Sequence, residues 1–248
     1  MTEPRRAFHE ELDELRHDVV RAAAIVTDAI PRGTHVLLEG DLEAAATIVA
    51  GDDELDALSI AIEERAFHLL ALQQPMASDL RALIGAIKIS GELERSGDLV
   101  VNQVKAARRI YGTTLTPRCR GLIERMSEEC QRLMSLAIDA YVEGDASLAA
   151  ALDDMDDRLD GLHRSFIQAI FEGHHDDELD LQTGVQLALC GRFYERIGDH
   201  AVNIGDRVQF MVTGWMPEHT GAARARARAE ALLPHDDANG SDGTEAAP

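Results

Sequence analysis

Two short acidic motifs carry the chemistry that this sequence offers. Glu94-Arg95-Ser96-Gly97-Asp98 and Glu195-Arg196-Ile197-Gly198-Asp199 hold Glu, Arg, Gly and Asp in the same order, 101 residues apart. In each, Glu and Asp stand at i and i+4, so on a helix their Cβ atoms lie about 5–6 Å apart. Like charges at that spacing repel, and a cation held between them removes the repulsion. A second pair precedes each motif: Asp53 with Asp56, and Asp157 with Asp160, at i and i+3. If the helices bearing the two pairs pack side by side, four carboxylates converge. Oxygen-only donors suit hard cations such as Mg²⁺, Mn²⁺, Ca²⁺ or ferric iron. A solvated acidic face explains any one pair equally simply. The repetition of the whole arrangement is what points to metal at Glu94, Asp98, Glu195, Asp199, Asp53, Asp56, Asp157 and Asp160.

The residues around these carboxylates have readings of their own. Arg95 and Arg196 either brace the acids or form ordinary surface ion pairs, which are worth little. Gly97 and Gly198 sit inside helical sequence, where Gly costs about 1 kcal/mol relative to Ala; close approach of a second helix explains that cost. Asn102 and Asn203 are expected to hydrogen-bond between helices. His200 has Leu99 as its counterpart in the first copy, and it reads as a surface histidine. Glu172-x-x-His175 has the spacing of a di-iron carboxylate element, but it occurs once, beside Gly173, in what reads as a polar loop over Glu172–Asp177.

The elements that position these groups follow from periodicity. Apolar residues recur at steps of three and four from Phe8 through Leu12, Leu15, Val19 and Val26, the stripe of a long helix. Pro31 lies within it and is expected to kink or interrupt it before about Glu39. Gly40-Asp41 supplies a C-cap followed by an N-cap. A second helix spans about Leu42–Gln73, and a third runs from Ser78-Asp79 to about Tyr111. The pattern then repeats: Thr116-Pro117 opens a helix ending at Glu143-Gly144-Asp145, Leu148–Phe171 forms the next, and the last runs from about Leu179 to Val212.

The match between halves extends well beyond the acidic motifs. Glu39-Gly40-Asp41 recurs as Glu143-Gly144-Asp145, and Asp79-Leu80 as Asp180-Leu181. Internal duplication of an all-α unit is the result: two tandem three-helix bundles over 1–112 and 113–216, then a segment 217–248. In that last segment Ala222–Leu233, bearing Arg224, Arg226 and Arg228, reads as a short helix, and the acidic residues from Pro234 onward read as disordered. On the last long helix Leu187, Cys190, Tyr194, Ile197, Ala201, Ile204 and Val208 form a core seam. The opposite face begins apolar, at Leu181, Val185 and Ala188, as does its counterpart at Leu80, Leu83, Ile84 and Ile87, so a covering element or second chain is expected there.

Composition narrows the functional classes. The 248 residues are 45% hydrophobic but only 4% aromatic, a helix-forming mixture with enough apolar residues for a core. A net charge of −21 repels phosphate backbones and anionic lipid, which excludes nucleic acid as a natural partner. No apolar run approaches the roughly 20 residues of a membrane span, so direct membrane insertion is not expected. Cys119, Cys130 and Cys190 are odd in number and lack C-x-x-C spacing, which suggests neither disulfides nor zinc and makes a reducing cytoplasm the default.

Three stretches bring a family into view: Gln73-Gln74-Pro75-Met76-Ala77-Ser78-Asp79-Leu80-Arg81, Lys88-Ile89-Ser90-Gly91-Glu92-Leu93-Glu94-Arg95-Ser96-Gly97-Asp98, and Tyr194-Glu195-Arg196-Ile197-Gly198-Asp199-His200-Ala201-Val202-Asn203-Ile204. Together they resemble the PhoU family of phosphate-uptake regulators, in the expected order across residues 8–214. The resemblance implies two tandem three-helix bundles and metal clusters bound through E/D-x-x-x-D motifs. Glu94 with Asp98 and Glu195 with Asp199 fill those positions, and Asp53, Asp56, Asp157 and Asp160 fall where the family also carries acids. The ions it implies are iron, zinc, manganese or magnesium. Ser96 departs from the pattern, standing where an apolar residue is expected.

The resemblance further implies a cytoplasmic, homodimeric negative regulator, not an enzyme. Its partners would be the phosphate ABC transporter's ATPase and a sensor histidine kinase. A metal-dependent hydrolase or oxidase using the same carboxylates is the rival, but no nucleophile or general base is paired with them. A purely structural cation-binding bundle is the third reading. No Gly-rich phosphate loop precedes a helix.

Overall fold

The computed structural model describes residues 3–215, which fold as six α-helices with no strand among them. They are α1 (Glu3–Glu39), α2 (Leu42–Gln73), α3 (Ser78–Arg109), α4 (Pro117–Glu143), α5 (Ala146–His175) and α6 (Leu181–Thr213). The sequence-predicted segment after Trp215, including its Arg-bearing helix, lies outside the described residues.

Local signals set the helix ends as expected. Asp41 and Asp145 each accept two backbone N–H bonds at the starts of α2 and α5, and Gly40 and Gly144 adopt φ of 70° and 66° just before them. Thr116 caps α4, Asp180 caps α6, and Gly214 closes α6 with φ 77°. Among α2–α6 only α3 begins without a side-chain cap: Ala77 precedes it at φ 50°, a strained conformation for a residue with a Cβ.

Of the two outcomes expected at Pro31, a kink or an interruption, the interruption does not occur, and the expected loop over Glu172–Asp177 is corrected. α1 passes through Pro31 uninterrupted. The proline lacks the N–H that would bond the Thr27 carbonyl, and Gln131 Nε2 on α4 donates to that carbonyl at 3.4 Å. The Glu172–Asp177 loop is shorter than its polarity suggests, because α5 continues to His175. The Gly173 carbonyl accepts from the amides of Glu178 and Leu179, Leu179 packs over the bare Gly173 backbone, and Glu172 pairs with Arg118. Glu172 and His175 are therefore ordinary residues of a helix end.

Within each repeat the three helices pack on one another. α2 touches only α1 and α3, and α5 touches only α4 and α6. The repeats join where α1 packs on α4 and α3 on α6. α1, α3, α6 and α4 thus meet in a closed ring, a central four-helix arrangement flanked by α2 and α5, and one continuous hydrophobic core runs through both repeats. Every residue of the expected α6 seam, from Leu187 to Val208, is buried.

The apolar face expected to be covered is covered only in part within the chain: Ile87 and Ala188 pack against the core. Leu83 enters the core, but Leu181 is 67% and Val185 50% exposed. Phe67 and Phe171, at equivalent places in the two repeats, are exposed as well.

Candidate functional site

Each acidic motif lies where two helices come unusually close. A Cβ built on Gly97 would overlap Leu55 of α2 and lie 3.5 Å from Asp52 Oδ1. One built on Gly198 would overlap both Leu159 and Asp156 of α5. The mid-helix glycines therefore do what their cost suggests: they let α2 lie against α3, and α5 against α6, with an aspartate beside each glycine.

That approach gathers carboxylates into two grooves. In the α2/α3 groove the Asp52 carboxyl is raised above its ordinary pKa, first by burial and then by Asp56 and Asp98, with Lys105 opposing. Glu94 is raised by burial, then by Asp98 and Asp56. Asp52, Asp56, Glu94 and Asp98 thus act on one another. In the α5/α6 groove burial lifts the Asp156 carboxyl to about 7, with Asp160 and Asp199 adding to the effect. Asp156 Oδ1 is sealed from solvent and has no hydrogen-bond partner. Glu195 is held by Arg192, one turn earlier on α6.

The structure thus brings together Asp56, Glu94 and Asp98, and likewise Asp160 and Asp199. It places the other predicted aspartates differently. Asp53 and Asp157 are exposed, and each is the weakest of the charges acting on its neighbour. Asp52 and Asp156, one residue earlier, occupy the groove floors. The signal was available: Asp52–Asp56 and Asp156–Asp160 have i,i+4 spacing, the same stacking as Glu94–Asp98.

The donor set fits a hard cation. It is all oxygen, the charges repel, and one buried oxygen has no partner, all of which a cation relieves. The acids line grooves and do not form a closed coordination sphere: among the described residues no three His, Cys, Asp or Glu groups converge as metal ligands. Ligation would require side-chain rotation.

Arg95 and His200 serve a different structure. Arg95 donates to Glu92 Oε1 at 2.7 Å and acts on Glu94 only as a nearby charge, opposing the rise of that carboxyl. Glu92 is buried on α3, facing α6, where His200 Nδ1 lies 2.7 Å from Glu92 Oε2 and Asn203 Nδ2 donates to the same oxygen at 3.3 Å. Burial raises the Glu92 pKa, but the His200 hydrogen bond and Arg95 charge outweigh it, leaving the carboxyl below its ordinary value. His200 is 7% exposed, so the surface-histidine expectation is wrong: it is a buried link between repeats. Asn203 makes the helix-to-helix bond expected of it. Ser96 is also fully buried, and its hydroxyl donates to the Glu92 carbonyl at 2.8 Å, which accommodates a polar residue in the core. Nearby, Tyr194 of α6 meets Thr34 of α1 at 2.7 Å and accepts from Gln103 of α3 at 2.5 Å, a second buried polar link.

Fold and site together define a class: duplicated all-helical proteins whose two three-helix units are fused through a central four-helix arrangement, each unit carrying an acidic groove on its flank. The PhoU domain model matches residues 10–107 and 123–208, and the chain belongs to the PhoU family. A phosphate-specific transport system accessory protein, PhoU homolog 1 of Mycobacterium tuberculosis (strain ATCC 25618 / H37Rv), is 36% identical over 214 residues, covering 86% of this chain and 96% of that protein. The Rhizobium meliloti PhoU homolog is 29% identical over 212 residues, covering 86% and 90%. The crystal structure of PhoU from Pseudomonas aeruginosa superposes with a TM-score of 0.78 at 27% identity, covering 84% of this chain and all of that one. That of the phosphate transport system regulatory protein PhoU from Streptococcus pneumoniae gives 0.77 at 25%, covering 84% and 98%.

Proposed function

We propose that this protein is an accessory regulator of phosphate transport that represses uptake and phosphate-starvation signalling when phosphate is plentiful. The observation that carries this reading is the PhoU match to both repeats, which spans nearly all of the described chain. The protein acts as a cytoplasmic, homodimeric adaptor between the phosphate ABC transporter's ATPase and a sensor histidine kinase, without turnover of its own. No helix among the described residues is long and apolar enough to cross a membrane, which accords with action through partners.

Metal ions support the fold in this reading. Asp52, Asp56, Glu94 and Asp98 would hold them on one flank; Asp156, Asp160, Glu195 and Asp199 would do so on the other, with Asp53 and Asp157 at the rims. A bound cation supplies positive charge that lets the acids ionise together. Iron, manganese and magnesium accept such oxygen ligands, and zinc is the softer alternative.

Deletion of the gene tests the regulatory reading. Phosphate-starvation genes are expected to be derepressed, and uptake uncontrolled, in high-phosphate medium, with recovery when the intact gene is restored. Unchanged regulation in a strain also lacking any paralogue would sink the reading. Metal analysis of untagged protein tests the ligands separately. Glu94→Ala/Asp98→Ala and Glu195→Ala/Asp199→Ala variants should each lose metal; wild-type content in both would remove these residues from the assignment.

A further inference from the structure

The Gln73–Arg81 stretch carries much of the family resemblance but takes no part in the acidic grooves. Its end opens onto a cavity of about 340 Å³ at the junction of the repeats, lined by α1, α3, α4 and α6. That volume is within the range of small-molecule sites. Leu12, Leu15, Ala86 and Met211 make an apolar floor. Met211 is fixed there because it packs over bare Gly85 and because its carbonyl accepts from Arg81 Nε at 3.1 Å.

The polar groups in the lining include one buried donor, Tyr141, and two exposed ones, Arg16 and Ser78. Tyr141 is 94% buried, being 6% exposed, yet its hydroxyl makes no hydrogen bond among the described residues. Tyr141 lines the cavity, and its hydroxyl oxygen is not sealed from solvent. A buried tyrosine ordinarily finds a partner for its hydroxyl. Burial lifts the phenol to about 12, so it stays a donor at any physiological pH. Arg16 lies close enough to act on that phenol and forms no ion pair among the described residues. Ser78 opens α3, which starts without a side-chain cap; the Asp79 amide donates to the Met76 carbonyl at 3.2 Å, so the helix start keeps only part of its positive potential. Asp79 offsets part of that potential from the first turn.

We infer that this inter-repeat cavity binds a small organic anion, its carboxylate or phosphate-monoester head on Tyr141, Arg16 and Ser78 and its apolar body on the Leu12–Met211 floor. Asp13 and Glu143, both exposed, stand at the rim and disfavour inorganic phosphate, which has no apolar part to offset their repulsion. The site is independent of the acidic grooves and of the phosphate-transport reading. Because both repeats line it, occupancy ties them together.

Calorimetric titration of the full chain tests the inference. Phenyl phosphate and benzoate supply a ring with each head group; inorganic phosphate supplies the head alone, and benzylamine supplies a ring with a cation. One or both ring anions should bind one per chain, more tightly than inorganic phosphate, and benzylamine should not compete. Tyr141→Phe keeps the packing and should weaken binding roughly 3- to 10-fold. Arg16→Gln should weaken it by about 10-fold or more, while Arg21→Gln, on the same helix but paired with Glu54, should leave it unchanged. Circular dichroism verifies that each variant is folded. The inference is overturned if neither ring anion binds at millimolar concentration, if inorganic phosphate or benzylamine binds as well, or if binding ignores Tyr141→Phe and Arg16→Gln.

Discussion

In the α2/α3 groove Asp52 faces Asp56 and Asp98 with Lys105 in opposition; in the α5/α6 groove Asp156 faces Asp160 and Asp199 with no lysine acting on it. The residue equivalent to Lys105, 101 positions on, is Asp206. The arginines have moved too. Gly91 leaves space for the Arg95 guanidinium, 3.5 Å from where its Cβ would be, and Arg95 turns to Glu92. The second copy has Arg192 in place of Gly91, and that residue holds Glu195. Duplication preserved the glycine-mediated approach of the helices but not the charge that accompanies it. The Asp156 carboxyl, lifted to about 7, is pushed up first by burial and only then by its acidic neighbours, while Arg192 supplies a positive charge to Glu195 on the same flank.

The largest test of this comparison is steric. Gly198→Ala should destabilise the fold by about 1–3 kcal/mol in urea unfolding, and Gly97→Ala by less, because its Cβ meets Leu55 but stays clear of Asp52. Equal losses would mean that the two approaches are equally tight. The buried pair between repeats is next. His200→Leu should cost about 1–3 kcal/mol by removing a partner from Glu92, and Glu92→Leu/His200→Leu should recover most of it, since an apolar replacement of both partners is often near neutral.

The pH dependence separates the grooves more finely. The Asp156 pKa is raised, so its ionised form costs the folded state stability above about pH 7, and that cost fades as pH falls toward the ordinary carboxylate range. Asp156→Asn should stabilise the protein at pH 8 by about 1 kcal/mol after discounting for solvent screening, with the gain shrinking by pH 5. Asp52→Asn should show a weaker form of the same trend. Lys105→Ala has the smallest expected effect, at most about 0.5 kcal/mol, and should bring the pH profile of the first groove closer to that of the second. Thermal melts across pH 5–8 measure all three.

The helices were legible in the sequence because their signals are local. The Gly40-Asp41 and Gly144-Asp145 caps, the α6 seam and the duplication itself all lie within a few turns or recur verbatim. Three features escaped for physical reasons. His200 reads as a surface residue because its partner, Glu92, is 108 residues away on another repeat. Asp52 and Asp156 were passed over for the aspartates that follow them because which of two adjacent aspartates faces a neighbouring helix depends on how that helix is rotated. α5 outran its polar end because a tertiary contact from Leu179 holds Gly173 helical. Only the His200 partner lies outside the window in which periodicity operates; the i,i+4 spacing of Asp52–Asp56 and Asp156–Asp160 and the Leu179 contact six residues from Gly173 lie within it.

The Glu92–His200 pair has a consequence for how one chain came to contain two units. Its counterpart under the duplication is Phe193 and Leu99, so one polar link and one apolar position stand where a symmetric ancestor would have had two alike. Two first repeats from different chains, brought together in the same way, would each bury Glu92 against Leu99 and leave a carboxylate with no histidine. Two second repeats would bury His200 against Phe193 with no acid to receive it. Only a first repeat set against a second pairs the acid with the histidine, so the pair favours the union of unlike repeats over that of like ones.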